Sequence, residues 1–375
     1  MGEMIDHSSR AHALLSASSS ARWLACPPSA VAASMYESAD TEFTREGTLA
    51  HEVAEQIARG KPVDPYGDIT PEMIHCAESY ADFIRELILE DSAVVLLEQR
   101  VDFSSWAPGG FGTCDCLILQ GHRLDVVDYK YGQGVAVSAI GNSQMRLYGL
   151  GALFDFGDVY DIREVAVHIY QPRMNNVSSD RMSAEELRAW GEEIRPLAQQ
   201  AAAGRGEMCA GEHCRFCPHA GSCPTLAASC MKMVKMHDLN AAVPSLAPWM
   251  VAYILKAEPM ISGWLKAVRE RALATLLNGE EIPGYKVVEG RGSRAWHNAE
   301  AAEKRLLQAG HGPSEIYPEP ELLSVAQMEK SIGKKRLAEL CGHLIVSKPG
   351  SPTVAPESDK RKPFDRLAEA RKDFI

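Results

Sequence analysis

The sequence has no apolar stretch that is long enough to cross a lipid bilayer. Its longest apolar run, around residues 249–255, falls well short of the ~20 residues that a membrane-spanning helix needs. The first ten residues lack the charged start and the apolar core of a secretion signal. These two absences predict a cytoplasmic protein without a membrane partner.

Basic residues are also in short supply. The chain has 39 lysines and arginines against 50 aspartates and glutamates, which gives a formal net charge of -11. This balance excludes a uniformly basic surface of the kind that binds phosphate backbones non-specifically. It does not exclude a local basic channel, because net charge does not report distribution and bound divalent metal offsets carboxylates.

Internal repeats and low-complexity blocks are absent, which excludes a repeat array. With 375 residues, 46% hydrophobic and 24% charged, the chain has the composition of a globular protein and the length of two domains or one decorated core. We predict three regions: an N-terminal helical region at 1–90, a core with a cysteine-rich segment at 91–230, and a helical extension with a basic tail at 231–375.

The most informative stretch is a predicted β-hairpin at residues 112–130. Two apolar runs, GTCDCLIL and LDVVDYKY, are joined by a Gly-His-Arg turn. Side chains alternate along a strand, so Asp128 and Lys130 share a face. Asp115, between two cysteines, is costly to bury unless it has a metal or a partner. Two carboxylates and a lysine on adjacent strands suit Mg²⁺ or Mn²⁺, which take oxygen ligands.

Two helices are predicted to bring further polar side chains towards this hairpin. Residues 44–59 have apolar positions at helical spacing and carry His51. Residues 142–154 also have helical character, and Gln144 and Tyr148 fall on one face because they are four residues apart.

The remaining pattern predicts a mixed α/β fold with a central sheet. Glu98, in the first predicted strand, is a weaker site candidate, since exposed strand positions often carry a charge. Further helices are predicted at 71–90, 183–204, 246–278, 298–309 and 325–343, and further strands at 93–103, 135–139, 163–171 and 284–290.

Ten cysteines in a chain without a secretion signal favour metal or redox use over disulfides. Cys214-X2-Cys217-X5-Cys223 supplies three ligands, and a fourth must come from elsewhere. Cys209 would complete a local zinc site. Cys26, 188 residues upstream of Cys214, would instead staple the N-terminal region to the end of the core. The nearby histidines that could replace a thiolate in a zinc site are His213 and His219.

An Asp on one strand followed by Asp-X-Lys on the next resembles the PD-(D/E)XK nuclease superfamily. The upstream GTLAH at 47–51 and the downstream Gln-X3-Tyr are similar to its RecB-type branch, which includes the AddB nuclease domain and the CRISPR adaptation nucleases. The resemblance covers roughly residues 12–225. The chain lacks a proline before Asp115, a departure that this branch often shares. As a whole it is also similar to a phage and prophage family long carried as a domain of unknown function.

The resemblance implies a restriction-endonuclease-like core: a central mixed sheet flanked by helices, followed by an α-rich C-terminal extension. It implies a metal-dependent deoxyribonuclease that works on phage or prophage DNA in recombination, replication or repair. Exonuclease rather than endonuclease activity is an expectation from the family resemblance alone. In this family pattern the catalytic residues are Asp115, Asp128, Lys130, His51, Gln144 and Tyr148, and the metal ligands among them are His51, Asp115 and Asp128.

The same branch has one cysteine before the core and three after it. This pattern implies a [4Fe-4S] cluster on Cys26, Cys214, Cys217 and Cys223, with structural Zn²⁺ as the alternative. The implied partners are DNA with free ends and a recombinase, helicase or single-strand-binding protein. A non-catalytic DNA-binding or scaffolding subunit of a recombination complex is the alternative function.

Two basic segments near the C-terminus are candidates for contact with DNA. GRGSRAW at 290–296 and DKRKPFDR at 359–366 each combine positive charge with an aromatic residue. The residues expected to bind phosphate are Arg291, Arg294, Lys360 and Arg361. A solvated charged surface is the competing interpretation.

Overall fold

The fold was analysed in a computed structural model. It describes residues 13–36, 42–235, 248–288, 297–309 and 333–346, together with 311–312, 316–317, 322–325 and 327–328. The chain forms two compact units, Met1–Pro320 and Glu321–Ile375. The division into three regions that the sequence suggests stays a prediction.

The first unit is a mixed α/β structure, as predicted. Its strands are β1 (Val94–Asp102), β2 (Phe111–Gln120), β3 (Arg123–Tyr129), β4 (Glu164–Gln171) and β5 (Asn176–Ser183). Its helices are α1 (Ser20–Ala25), α2 (Ser29–Ser34), α3 (Glu42–Ala58), α4 (Pro71–Leu87), α5 (Ser143–Tyr160), α6 (Ala184–Ala202), α7 (Pro224–Lys235), α8 (Pro248–Leu277) and α9 (Ala299–Gln308). The second unit contains α10 (Lys334–Cys341).

The five strands form one mixed sheet in the order β1-β2-β3-β4-β5. All neighbours are antiparallel except β3 and β4, which are parallel and are connected through α5. The predicted hairpin is the β2–β3 pair, closed at Gly121, whose φ of +53° suits glycine. Because β3 and β4 run in the same direction, the ends of both strands lie at the same edge of the sheet.

Apolar side chains cover both faces of the sheet. On one face, the α5 cluster joins sheet residues such as Leu117 and Val126 to Met145 of α5 and Leu187 of α6. On the other face, the α3–α4 cluster joins Cys116, Ile118 and Val127 to side chains from α3 and α4, including Val53, Ala54, Ala77 and Tyr80. The sheet is therefore flanked by helices on both sides, which is the layer arrangement that buries a central sheet.

A buried polar network lies on β3, away from the end of the strand that carries Asp128. The Asp125 carboxylate is fully buried and pairs with Arg123 and with His168 Nε2 at 3.0 Å. Gln120 Nε2 donates to its other oxygen at 3.1 Å. Burial by itself raises the pKa of Asp125, but the hydrogen bonds from His168, Arg123 and Gln120 outweigh it, so the pKa is lowered. The charged form of Asp125 is therefore stabilised by the fold.

The strands differ from the sequence prediction at three places. Residues 135–139 do not form a strand, because the amides of Val137 and Ala139 donate to the side chains of Gln171 and Ser178 instead of to a neighbouring strand. Strand β5 was not predicted, and its residues alternate between partly buried and exposed positions at the sheet edge. Its polar composition, NVSSDRMS, hides the alternation. Of residues 284–290, the described part, 284–288, contains no strand.

The helix termini follow the local sequence closely. Ser183 caps α6 through a capping box with Glu186, in which each side chain accepts from the other residue's backbone amide. Asn142 caps α5 by accepting from Met145 N at 3.2 Å.

The helix expected at 325–343 is seen as α10, with part of the range outside the described residues. Within the described ranges, every helix is too short or too polar to cross a membrane.

Candidate metal-dependent active site

Asp115 and Asp128 lie on the adjacent strands β2 and β3, near one edge of the sheet. Regular alternation is interrupted at Asp115, because Cys116 belongs to the α3–α4 cluster and Cys114 to the α5 cluster. In a regular strand these two cysteines would share a face. The interruption lets the Asp115 carboxylate reach both α3 and the end of β3. One oxygen lies 3.1 Å from His51 Nδ1, and the other accepts from Tyr129 N at 2.7 Å.

Glu98 on β1 lies opposite Asp115, between the pairs Leu97–Cys116 and Gln99–Cys114. Its φ of +54° is left-handed, which is rare for a residue with a side chain and costs on the order of 1–3 kcal/mol. Ligand atoms of His51, Glu98 and Asp115 all lie within 4.8 Å of one another. The strained backbone thus accompanies a third carboxylate at the site, which the sequence ranked only as a weak candidate.

Asp128 is almost completely buried beside Lys130 and Gln144. Lys130 Nζ donates to Oδ1 at 3.3 Å and lies 3.0 Å from Oδ2, while Gln144 Nε2 donates to Oδ1 at 3.0 Å. Oδ2 is a buried atom without a hydrogen bond of acceptable geometry from any described residue. Such an acceptor is available to a cation.

The net pKa shifts of the two carboxyl groups are opposite, although burial acts on both in the same direction. For Asp128, burial raises the pKa and the nearby Asp115 raises it further, which together outweigh the effect of Lys130. For Asp115, burial also favours the neutral form, but His51 and Lys130 reverse the balance and the pKa is lowered. The pair therefore combines a carboxylate that the fold keeps charged with one whose charge is costly.

The two basic groups respond to the same carboxylates. Burial lowers the pKa of His51, but Asp115 raises it more, so that the net shift is upward. The pKa of Lys130 is also raised, since the attraction of Asp128 and Asp115 exceeds the cost of burial. Lys130 is therefore a cation at neutral pH, held at the edge of the carboxylate pair.

Gln144 and Tyr148 extend this arrangement along α5. Gln144 Nε2 donates to Tyr148 OH at 3.3 Å, and Lys130 Nζ donates to Gln144 Oε1 at 3.5 Å. All six residues that the resemblance singled out in the core (His51, Asp115, Asp128, Lys130, Gln144 and Tyr148) are thus brought together by the fold. Their chemical roles stay predictions.

A cleft of about 510 Å³ opens over these groups. Its walls include the site side chains His51, Glu98, Asp115, Lys130 and Tyr148, together with Phe111, Tyr131 and several hydroxyl groups from Ser16, Ser18, Thr48 and Thr113. Lys130 is the only lysine or arginine among the described cleft-lining residues. The cleft can therefore hold a polar ligand. The charge of an anionic ligand would be balanced mainly where the carboxylates lie, by Lys130 or by a cation that the carboxylates bind.

Gly112 forms part of this cleft at a position where Tyr148 approaches the backbone. A Cβ at Gly112 would lie 2.6 Å from Tyr148 Cε1. We expect Gly112→Ala to displace the Tyr148 ring, lowering the free energy of unfolding by about 1–3 kcal/mol and slowing any reaction in the cleft. Denaturant unfolding and a cleavage assay measure the two effects.

The matched control is Gly191→Ala. Gly191 lies in α6, outside the described cleft walls, and a Cβ there would lie 2.6 Å from Trp106 Cδ1. It should lower stability without slowing cleavage. Equal rates for the two variants at matched folded fraction would contradict a role for Tyr148 in the cleft.

The cysteine segment lies against the N-terminal helices. Cys26 is buried, and its Sγ, Cys209 Sγ and a ring nitrogen of His213 all lie within 4.8 Å of one another. Burial raises the pKa of Cys214, and the nearby Cys217, Cys223 and Cys26 raise it further. The fold therefore gathers the distant Cys26 with the local cysteines, while leaving the choice of fourth ligand open.

Other contacts tie the same segment to its neighbours. His219 Nδ1 lies 3.0 Å from Tyr36 OH, which connects the segment to the end of α2. Leu226 and Cys230 of α7 pack with Trp264 of α8 in a small separate apolar cluster. Of the basic segments, the expected DNA contacts Arg291, Arg294, Lys360 and Arg361 lie outside the described residues.

Comparisons with known proteins place the chain in a family. The model of a family described as "Protein of unknown function (DUF2800)" matches residues 12–362, so the chain belongs to that family. Among solved structures, the crystal structure of SSO0001 is similar at 13% sequence identity, with a TM-score of 0.28, covering 59% of this chain and 91% of that one. A likeness at this level carries no argument about fold or function.

Proposed function

We propose that this member of the DUF2800 family is a RecB-like, metal-dependent deoxyribonuclease that hydrolyses phosphodiester bonds. The observation that carries the proposal is the convergence of two carboxylates, a paired lysine and a histidine from β2, the end of β3 and α3. Three of these groups, His51, Asp115 and Lys130, line one cleft, and Asp128 is buried behind Lys130. The motif order in the sequence supports a PD-(D/E)XK core, and the preference for DNA ends rests on that resemblance alone.

The donor set fits a hard divalent cation such as Mg²⁺ or Mn²⁺. His51, Glu98 and Asp115 already offer three ligand atoms within 4.8 Å of one another. Asp128 offers a buried oxygen without a well-formed hydrogen bond from the described residues. These residues would hold the cation, and the chemistry that it supplies when bound is polarisation of the scissile phosphate and activation of water.

The remaining side chains position and neutralise the reacting phosphate. Lys130 is cationic and lies between Asp128 and Gln144, where it offsets charge that develops on phosphate oxygens. Gln144 and Tyr148 offer an amide and a phenol to phosphate or base. Because Asp128 and Gln144 restrain the lysine, little reorganisation is needed when substrate enters.

The experiment that tests this function uses purified full-length protein, end-labelled linear DNA and closed circular DNA. We expect Mn²⁺ or Mg²⁺ to permit degradation of the linear DNA, and EDTA to prevent it. Circles that survive intact would support action at ends, whereas nicked circles would indicate an endonuclease. Binding of DNA without any metal-dependent cleavage would contradict the proposal and favour a DNA-binding or scaffolding subunit.

The cysteines add a structural element to this proposal. The family resemblance implies a [4Fe-4S] cluster on Cys26, Cys214, Cys217 and Cys223, and the position of the buried Cys26 beside the cysteine segment is compatible with it. The alternative is Zn²⁺ on a set that contains Cys26, Cys209 and His213, whose ligand atoms already lie close together. Either metal would hold α1 against the segment and thereby constrain the chain between them.

A further inference from the structure

The segment 131–137 begins immediately after Lys130, and its first two residues, Tyr131 and Gly132, belong to the wall of the cleft. Tyr131 is buried. Residues 132–136 are exposed, and a Cβ at Gly132 or Gly134 would have no neighbour within 4 Å. Since so little of this segment is packed, its conformation depends on hydrogen bonds.

One buried side chain supplies most of those hydrogen bonds. Gln171 is 2% exposed. Its Nε2 donates to Gly132 O at 3.0 Å and to Val135 O at 2.9 Å. Its Oε1 accepts from Val137 N at 3.2 Å and from Asn176 Nδ2 at 3.0 Å. Both N–H donors and both acceptor positions of the amide are therefore in use.

The sheet topology explains why this amide reaches the cleft wall. Gln171 is the last residue of β4, which is parallel to β3. Lys130 N donates to Tyr170 O at 2.9 Å, so the parallel ladder extends to Lys130 itself. The next residue of β4 therefore lies beside the segment that follows Lys130.

Tyr131, the first residue of the segment, has a separate support. Arg173 lies over the Tyr131 ring, with the guanidinium carbon 4.5 Å from the ring centroid. The same guanidinium pairs with Glu46 of α3 and Glu72 of α4. Tyr131 is thus held without Gln171. Residues 132–137 depend mainly on the amide, and Asn176 Nδ2 adds a hydrogen bond to Val137 O at 2.9 Å.

We propose that Gln171 is a positioning residue for the cleavage site, which fixes segment 132–137 beside Lys130 and thereby holds Gly132 in the wall of the cleft. This inference rests on the proposed function for its effect on catalysis, but the fixing of the segment can be measured separately. Misplacement of a cleft wall by about 1 Å is enough to slow an enzyme by up to about 100-fold, even when the reacting groups are intact.

The chain contains a matched control at the opposite end of the same sheet. Gln120, the last residue of β2, is also a buried amide. It accepts from Leu89 N at 2.8 Å and donates to Leu87 O at 2.9 Å, so that it restrains the segment before β1. This segment is absent from the described cleft walls.

The test compares Gln171→Met with Gln120→Met in the full-length protein. Methionine keeps the approximate volume of glutamine and removes its hydrogen bonds. We expect both variants to lose stability. In Gln171→Met, amide hydrogen exchange should accelerate at Val137, whose N–H loses its acceptor. On linear DNA, kcat should fall about 10-fold or more, with KM and Mn²⁺ affinity unchanged. Gln120→Met should accelerate exchange near 87–93 and keep kcat within about twofold, because that segment does not reach the cleft.

The outcomes separate the two proposals. Unchanged exchange at Val137 in Gln171→Met would overturn the positioning role, whatever the wild-type activity. Faster exchange with full kcat, or an equal loss of kcat in both variants, would also overturn it. If the wild-type protein cleaves no DNA while exchange at Val137 responds to Gln171→Met, the proposed nuclease function fails and the fixing of the segment by Gln171 stands.

Discussion

Asp128→Asn is expected to slow metal-dependent DNA cleavage by a factor of about 1,000 or more, while the protein stays folded. The substitution keeps the shape of the side chain and removes a charged oxygen from the proposed cation site. Because burial raises the pKa of Asp128, its charged form opposes folding at neutral pH. The free energy of unfolding should therefore stay within about 1 kcal/mol of the wild-type value.

The control is a buried aspartate of the same strand, Asp125, which has the opposite balance. Its pKa is lowered, with burial outweighed by His168, Arg123 and Gln120. Its charge therefore stabilises the protein above the pKa of the unfolded carboxyl group, and this contribution is lost as pH falls towards the lowered pKa. At pH 7, Asp125→Asn should lower the free energy of unfolding by about 3–5 kcal/mol and leave cleavage by the folded fraction intact.

Denaturant unfolding and single-turnover cleavage measure the two quantities independently. A cleaving Asp128→Asn variant, prepared free of host nucleases, would exclude the proposed site. Loss of cleavage in both variants at equal folded fraction would show that the effect on Asp128 is not specific to the cleft.

The second large effect concerns Cys26. We expect Cys26→Ser to lose the bound metal and to lower the melting temperature by about 5–10 °C. The proposed metal link from Cys26 to Cys214 would close a loop of 188 residues, and such a link contributes about 5 kcal/mol. Iron, sulfide and zinc analysis of anaerobically prepared protein measures the loss of metal, and calorimetry measures the loss of stability.

A panel of single cysteine variants then identifies the metal site. Loss of iron in Cys217→Ser, with iron retained in Cys209→Ser, would support the [4Fe-4S] assignment. Loss of zinc in Cys209→Ser, with zinc retained in Cys217→Ser, would support the zinc alternative and overturn the cluster. Cys76→Ser is the control for a buried cysteine, because Cys76 is 6% exposed and Cys26 is 7% exposed; it should keep full metal content.

The hairpin and the helices could be predicted from sequence because their determinants are local. The apolar runs of β2 and β3 surround a turn, and α5 and α6 begin at capping residues that occur within three positions of their partners. The edge strand β5 was missed for the same reason. Its pairing with β4 is decided by the partner strand, and its own residues are mostly polar.

The candidate site shows the same division. The sequence by itself determined which residues are candidates for chemistry: Asp115, Asp128, Lys130, His51, Gln144 and Tyr148, in an order that resembles a known family of nucleases. Their distances depend on the pairing of β2 with β3 and on the packing of α3 and α5, which join residues far apart in the chain. Pattern and spacing cannot supply those distances.

Only the tertiary structure decided the positions of Glu98 and Gln171 relative to the candidate site. Glu98 enters the site through a left-handed backbone conformation inside a strand, which alternation does not predict. Gln171 acquires its position because β4 runs parallel to β3, so that a buried amide meets unpaired backbone groups of the segment after Lys130. Local sequence determines which groups are available, whereas long-range pairing determines which buried polar groups must satisfy one another.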